Sequence, residues 1–335
     1  MKTAAVLATA LTMAVGAEAS EWNFYGSARV ETFYTDVDKG ATGTSAKNFN
    51  QDLQSNSRIG AKVRVNDEIK ARFEYGTDDG NANIRQLWGE WNFGPGTLLI
   101  GQTYTPIYTV YSNSVYDSGD ALQGYGAISV SRKPMVRLSF GGFQIAAVSP
   151  KTNALTGTAT EVTLPKIEAA YSGGFNNVSY KISGAYQTYE IDNTYDVDTY
   201  LIGFGGKLTF GKGFLAGTVY TGQNLGPYGF KDGNVDMDPN ISGGVLLDNE
   251  AIGYTLVAGY KVNDMLALEA GYGYQEGEDD NATVEEDASQ YYLQAKITMA
   301  PGVYVVPEIG VRDDENATAD KKETTYFGAK WQINF

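Results

Sequence analysis

The chain has 335 residues, with 40 Gly, 24 Tyr, 14 Phe, no Cys, no His and a formal net charge of −15. Without cysteine no disulfide can form, and without histidine the commonest general base and metal ligand is missing, which argues against most hydrolytic and metal-dependent chemistry. The negative balance argues against a nucleic-acid partner.

The N-terminal stretch carries Lys2, an apolar run from Ala4 to Val15, and then Ala17-Glu18-Ala19. A positive start, a short apolar core and a small-residue end predict a cleaved secretory signal peptide over residues 1–19. The run is shorter than the about 20 residues that a membrane-spanning helix needs. The remaining chain, 20–335, reads as a single domain. Exported without cysteine, it must draw its stability from hydrogen bonding and size.

Strict alternation follows. From Trp22 to Tyr34 the even positions read Trp22, Phe24, Gly26, Ala28, Val30, Thr32 and Tyr34, and the odd ones Asn23, Tyr25, Ser27, Arg29, Glu31 and Phe33. A period of two with one apolar face marks a strand between two environments. Phe24 and Tyr34 are spaced to span roughly 25 Å of height at the usual strand tilt, the width of an outer-membrane apolar band with an aromatic girdle at each rim.

Further along, short and long connections take turns. Tight turns are predicted at Asn66-Asp67, Gly94-Pro95-Gly96, Gly141-Gly142, Ser172 to Asn177, Gly211-Lys212-Gly213, Asn263-Asp264 and Ala300-Pro301-Gly302. Long loops are predicted at Asp36–Leu53, Thr105–Gly126, Ser149–Thr163, Asn224–Glu250, Glu276–Asp287 and Asp313–Lys322, with shorter ones at Asp78–Asn83 and Glu190–Val197. Seven turns and eight loops imply sixteen strands, hence an all-β, transmembrane, antiparallel up-and-down barrel. The last strand alternates Phe327, Ala329, Trp331, Ile333 and Phe335 outward with Tyr326, Gly328, Lys330, Gln332 and Asn334 inward.

Parity also sorts the charges. Arg29 lies on the polar face of the first strand, Arg58, Lys62 and Arg64 on that of the second, and Lys70, Arg72 and Glu74 on that of the third. In a lipid-embedded barrel the polar face is the lumen. Arg85 breaks the rule, since it shares parity with Leu87, Gly89, Trp91 and Phe93, so a bulge or a late strand start is needed to turn it inward. Arg132 and Lys133 sit beside Pro134, another bulge signal, and Arg137 is inward by cleaner alternation; Arg137 and Lys133 are favoured over Arg132.

Phe24-Tyr25-Gly26, Ser57-Arg58-Ile59-Gly60-Ala61-Lys62, Phe73-Glu74-Tyr75, Arg85 leading through Phe93-Gly94 to Leu99-Ile100-Gly101-Gln102, Gly141-Gly142-Phe143-Gln144-Ile145 and the terminal Phe335 resemble, in order and spacing, the general (non-specific) trimeric porins of Gram-negative bacteria. The resemblance implies a homotrimer in the outer membrane, in contact with lipid and lipopolysaccharide, without cofactor or metal. It also implies a third extracellular loop folded into the lumen, carrying Asp117 and Asp120 against a basic wall, for which it favours Arg58 and Arg85 with Arg29 nearby; strand parity adds Lys62, Arg72, Lys133 and Arg137.

The expected function is a water-filled channel for passive diffusion of ions and small hydrophilic solutes. Acidic runs in the long loops (Glu276, Glu278, Asp279, Asp280, Glu285, Glu286 and Asp287; Asp313, Asp314 and Glu315; Asp232, Asp236 and Asp238) predict a negative mouth and a weak cation preference. The alternative is a substrate-specific channel, for example for sugars, because Tyr104, Tyr108, Tyr111, Tyr116 and Tyr125 could form an aromatic slide. An outer-membrane lipase would want a Ser–His pair, which this chain cannot supply. A plugged barrel acting as an adhesin is the remaining rival, and the polar strand faces argue for a channel instead.

Overall fold

The computed structural model describes residues 20–40, 43, 45–78, 81–152, 158–231, 235–280, 286–315 and 321–335. The expected signal peptide lies outside the described residues, as do the acidic Asp232 and Glu285.

The chain is almost entirely strand. It begins with β1 (Glu21–Asp38), β2 (Ala46–Leu53), β3 (Arg58–Arg64), β4 (Ile69–Asp78), β5 (Asn81–Asn92) and β6 (Thr97–Tyr104). A long connection holding the single turn α1 (Tyr116–Gly119) leads to β7 (Arg132–Phe140), β8 (Phe143–Val148), β9 (Thr160–Glu161), β10 (Lys166–Phe175), β11 (Val178–Ile191), β12 (Tyr195–Phe210) and β13 (Gly213–Gln223). The longest connection contains the turn α2 (Leu225–Tyr228) and a small hairpin, β14 (Asn240–Ser242) with β15 (Val245–Leu247). The chain ends with β16 (Asn249–Lys261), β17 (Leu266–Asp279), β18 (Glu286–Ala300), β19 (Val303–Glu315) and β20 (Lys321–Asn334).

Apart from that hairpin, the strands form one antiparallel sheet that closes on itself, with β20 pairing β1 from Ser27↔Asn334 to Asp38↔Glu323. β2 and β3 pair in succession with β1, and β9 and β10 with β11, so each couple is one interrupted stave and the barrel has sixteen. Closure removes the exposed edge that an open sheet would present. The last residue completes it, since Phe335 and Gly26 exchange backbone hydrogen bonds of 2.6 and 3.1 Å.

The distribution of side chains is the reverse of a water-soluble protein. Phe24, Phe335 and Ile202 are 73%, 72% and 61% exposed, whereas Glu74, Glu168, Gln275 and Gln290 are wholly buried. Apolar positions face outward along each stave and polar ones inward, the arrangement that lipid outside and water inside select. Trp22 stacks on Phe24 near one rim and Tyr34 on Phe327 near the other, with ring centroids 5.9 and 5.3 Å apart.

Several connections are shorter than alternation suggests. The loop expected over Asp36–Leu53 is largely sheet, since β1 and β2 stay paired from Val30↔Leu53 to Val37↔Ala46. The expected loops Glu276–Asp287 and Asp313–Lys322 shrink in the same way, because β17–β18 and β19–β20 pair out to Gly277↔Glu286 and Glu315↔Lys321. Polar residues extend a strand as readily as apolar ones once both neighbours supply ladder hydrogen bonds, and these ends have no lipid to demand alternation.

Candidate functional site

Six basic side chains, Arg29, Arg58, Arg85, Arg132, Lys231 and Lys330, line one cavity of about 550 Å³ with Tyr104, Tyr108, Asp117 and Asp120. Arg29 comes from β1, Arg58 from β3, Arg85 from β5, Arg132 from β7 and Lys330 from β20. The long connection 105–131 supplies the two carboxylates.

Arg85 reaches the cavity through a bulge. The β4–β5 register runs Glu74↔Gln86 and then Tyr75↔Ile84, leaving Arg85 as the extra residue. Arg85 and Gln86 therefore both turn inward and are only 7% and 5% exposed, while Ile84 and Leu87 on either side face out. This is the device that the parity conflict in the sequence called for.

Glu74 holds the basic cluster together. Its wholly buried carboxylate accepts hydrogen bonds from Tyr25 Oη at 2.8 Å, Arg72 Nη2 at 2.8 Å and Arg85 Nε at 2.9 Å, and Arg58 Nη1 lies 3.5 Å away. A buried carboxylate is costly unless it is paired and hydrogen-bonded, and here four donors surround it. The same charge lets neighbouring guanidinium groups sit together.

The remaining wall bases fall elsewhere. Lys62 and Arg72 are register partners on the polar face, and Arg72 bonds Tyr25 and Glu74 without reaching this cavity. β7 runs without a bulge at Pro134, so Lys133, Met135 and Arg137 share the inward face. Neither Lys133 nor Arg137 lines the cavity; Lys133 sits beside Gly229 and Lys151. Arg132 does line it; Ser131 before it adopts a positive φ of 63°, and the Arg132 Nη1 donates to Tyr104 Oη at 2.9 Å.

The connection 105–131 is tied along its length to acids on the polar faces of other staves. Glu308 of β19 accepts from Ser114 Oγ (2.9 Å), Val115 N (2.7 Å) and Tyr116 N (3.2 Å). Glu269 of β17 accepts from Asn113 N and Nδ2, both at 2.7 Å. Glu168 of β10 takes Ile107 N at 3.3 Å, and Glu31 of β1 takes Ser118 N at 2.9 Å. A buried backbone N–H needs an acceptor, and isolated wall carboxylates provide it. The approach is close: a side chain at Gly126 (φ 89°) would meet the carbonyl of Tyr254, and one at Gly273 the carbonyl of Tyr125.

The turn at α1 is strained. Asp117, Ser118 and Gly119 have φ of 53°, 59° and 73°, a left-handed run that costs roughly 1–2 kcal/mol per non-glycine residue. Contacts from β1 and the β2–β3 break offset that cost, since Ser55 N bonds Ser118 Oγ at 3.1 Å and the Asn56 amide bonds the Ser118 carbonyl.

Neither acid of this turn stands free against the basic wall. Arg312 of β19 donates from Nη1 to Asp117 Oδ2 at 2.8 Å and from Nη2 to Asp120 Oδ2 at 3.2 Å. Sequence parity set Lys330 on the inward face of the last strand, but it had no means of bringing Lys330, Arg312 or Lys231, all far along the chain, to this loop. The wall acids left a faint signal, because Glu31, Glu74, Glu269 and Glu308 are single carboxylates inside strands and not part of the acidic loop runs.

A closed barrel with apolar outside, polar inside and a charged cavity within defines an outer-membrane channel protein. Over residues 3–318 the sequence matches the Gram-negative porins, and the chain belongs to that family. No curated protein matches it. Among solved structures, the outer membrane channel DcaP of Acinetobacter baumannii aligns with a TM-score of 0.80 at 17% identity, covering 94% of this chain and 97% of that one. The anion-selective porin from Comamonas acidovorans aligns with a TM-score of 0.66 at 14% identity over 94% and 100% of the two chains. The trimer form of OmpT from Vibrio cholerae gives 0.62 at 18% identity over 95% and 100%. These likenesses carry the fold. The protein resides in the outer membrane.

Proposed function

We propose that this porin is a water-filled channel for passive diffusion of ions and small hydrophilic solutes, that segment 105–131 lies within the barrel and narrows it, and that the narrow zone favours anions. One observation supports the selectivity: six bases line one cavity of about 550 Å³, while both loop carboxylates in it are ion-paired to Arg312. A narrow aqueous zone lined by one sign of charge raises the local concentration of the opposite ion. The selectivity of the Comamonas relative supports the same sign.

The weak cation preference suggested by the acidic loops would require the mouth to dominate. Mouth charges are screened within about 8–10 Å at ordinary ionic strength, whereas a permeating ion passes the cavity bases at contact distance. A sugar-specific path is less well supported, because Tyr116 and Tyr125 pack around Arg312 and only Tyr104 and Tyr108 line the cavity. The trimeric OmpT neighbour supports a homotrimer. The apolar belt suits membrane lipid, the acidic loop ends suit lipopolysaccharide bridged by divalent ions, and residues 1–19 suit a cleaved export signal.

Planar-bilayer recording in a KCl gradient tests this reading. The wild-type reversal potential should have the sign of chloride preference, and Arg58→Ala should reduce it while raising conductance. A wild-type potential of the opposite sign refutes anion preference.

A further inference from the structure

We propose that Arg312 sets the ion preference of the narrow zone by holding Asp117 and Asp120 as its counter-ions, so that the loop presents little free negative charge to a passing solute. The inference rests on the constriction reading above.

The guanidinium is unusually well fixed. It belongs to β19 and lines a cavity other than the one holding the basic wall, and its side chain is 11% exposed. It lies over the rings of Tyr116 and Tyr125, 4.6 and 5.0 Å from their centroids, while Nε donates to Gln290 at 3.4 Å. Tyr116 is itself stacked on Tyr326 with centroids 3.9 Å apart. An arginine held between two aromatic faces keeps its planar fork aimed in one direction, and that direction is the two carboxylates.

Position matters as much as fixity. Asp117 and Asp120 line both the basic cavity and a second one of about 380 Å³ that contains Arg312. The acids are therefore a partition, with bases on either side. Asp117 is 62% exposed and so faces the solute path even while paired.

Arg312 is not what keeps the loop in place. Glu308, Glu269, Glu168 and Glu31 grip its backbone, and Tyr125 Oη bonds Asp314 at 3.2 Å. The charge of residue 312 can thus be changed with the loop still anchored, and a role in selectivity separates from a role in folding.

The test is reversal potential and single-channel conductance of four variants. Arg312→Gln should lower the chloride-to-potassium permeability ratio about two- to five-fold, the effect of one unit charge at 4–8 Å in water, with conductance near wild type. Arg312→Lys should keep the wild-type ratio. Asp117→Asn alone should raise the ratio, and Asp117→Asn added to Arg312→Gln should return it toward wild type. A merely structural arginine predicts otherwise: Gln and Lys variants would both show enlarged, noisy openings, and Asp117→Asn would rescue neither. That pattern, or an Arg312→Gln ratio equal to wild type, overturns the proposal. Should Arg312→Gln fail to assemble, Asp117→Asn decides, since an unchanged ratio there also overturns it. If the wild type proves cation-preferring, the anion reading falls, yet the direction of each shift still judges Arg312.

Discussion

Two stretches of the inner wall carry charge in quantity and use it in opposite ways. From β1 to β7, Arg58, Arg72 and Arg85 gather round Glu74, and Arg29, Arg58, Arg85 and Arg132 line one cavity. From β10 to β19 the inward acids Glu168, Glu269 and Glu308 each accept N–H groups of segment 105–131, and Glu168 and Glu308 are buried beneath it. Charge on the first stretch is available to a solute, and charge on the second is consumed by the loop. Net composition is therefore a poor guide to the charge that lines the cavity. A chain of formal charge −15 can present a cavity rich in bases, because many of its acids lie in the long loops or accept hydrogen bonds from segment 105–131.

The largest way to break this contrast is to free an anchor. Glu308→Ala would leave Ser114, Val115 and Tyr116 without their shared acceptor, at a cost of about 1–3 kcal/mol for each donor left buried and unpaired. The loop should then detach from β19, giving higher conductance with frequent transitions and a weakened ion preference. Single-channel traces indistinguishable from wild type would show that the acid wall does not hold the loop.

The contrast also explains what sequence could and could not disclose. Alternation is a local property, so stave number, the outward girdle and the terminal Phe335 were all legible. The Arg85 bulge was legible as well, because a charged residue on an apolar parity has few ways to be accommodated. Arg132 was placed behind Lys133 and Arg137, because alternation alone gives no reason for it to line the cavity with Tyr104. The pairing of Asp117 and Asp120 with Arg312 joins positions nearly two hundred residues apart and depends on how the loop lies, which periodicity does not encode. Basic candidates such as Lys62 and Arg137 share the correct face but stand at other heights along the barrel, and parity carries no information on height.

A smaller effect should follow pH. Burial pushes the Asp120 carboxyl up to about 7 against the opposing pull of Arg312 and Lys231, with Asp117 and Glu308 also facing it. Because the value is raised, the negative charge is present above pH 7 and lost as pH falls through it. Acidification from pH 8.5 to 5.5 should thus increase chloride preference, by no more than the about two- to five-fold of a unit charge nearby. Asp120→Asn should hold the low-pH preference at both values; a variant that still responds to pH places the titrating group elsewhere.

The smallest expected effect lies where an aromatic ring touches the basic wall. Tyr104 accepts a hydrogen bond from Arg132 Nη1 at 2.9 Å, the guanidinium carbon lies 5.1 Å from the Tyr104 ring, and Tyr108 packs 4.1 Å from the same ring. Tyr104→Phe removes the hydroxyl and keeps the face, so Arg132 should remain over the ring, with a loss of about 0.5–1.5 kcal/mol. Chloride preference should hold while conductance shifts slightly as Arg132 gains freedom, and Tyr104→Ala, which removes the face as well, should lower the preference further. That ordering separates two ways of fixing a wall base, by hydrogen bond or by aromatic face. If Phe and Ala variants lower chloride preference equally, the hydroxyl alone positions Arg132, and the ring contributes only by narrowing the cavity.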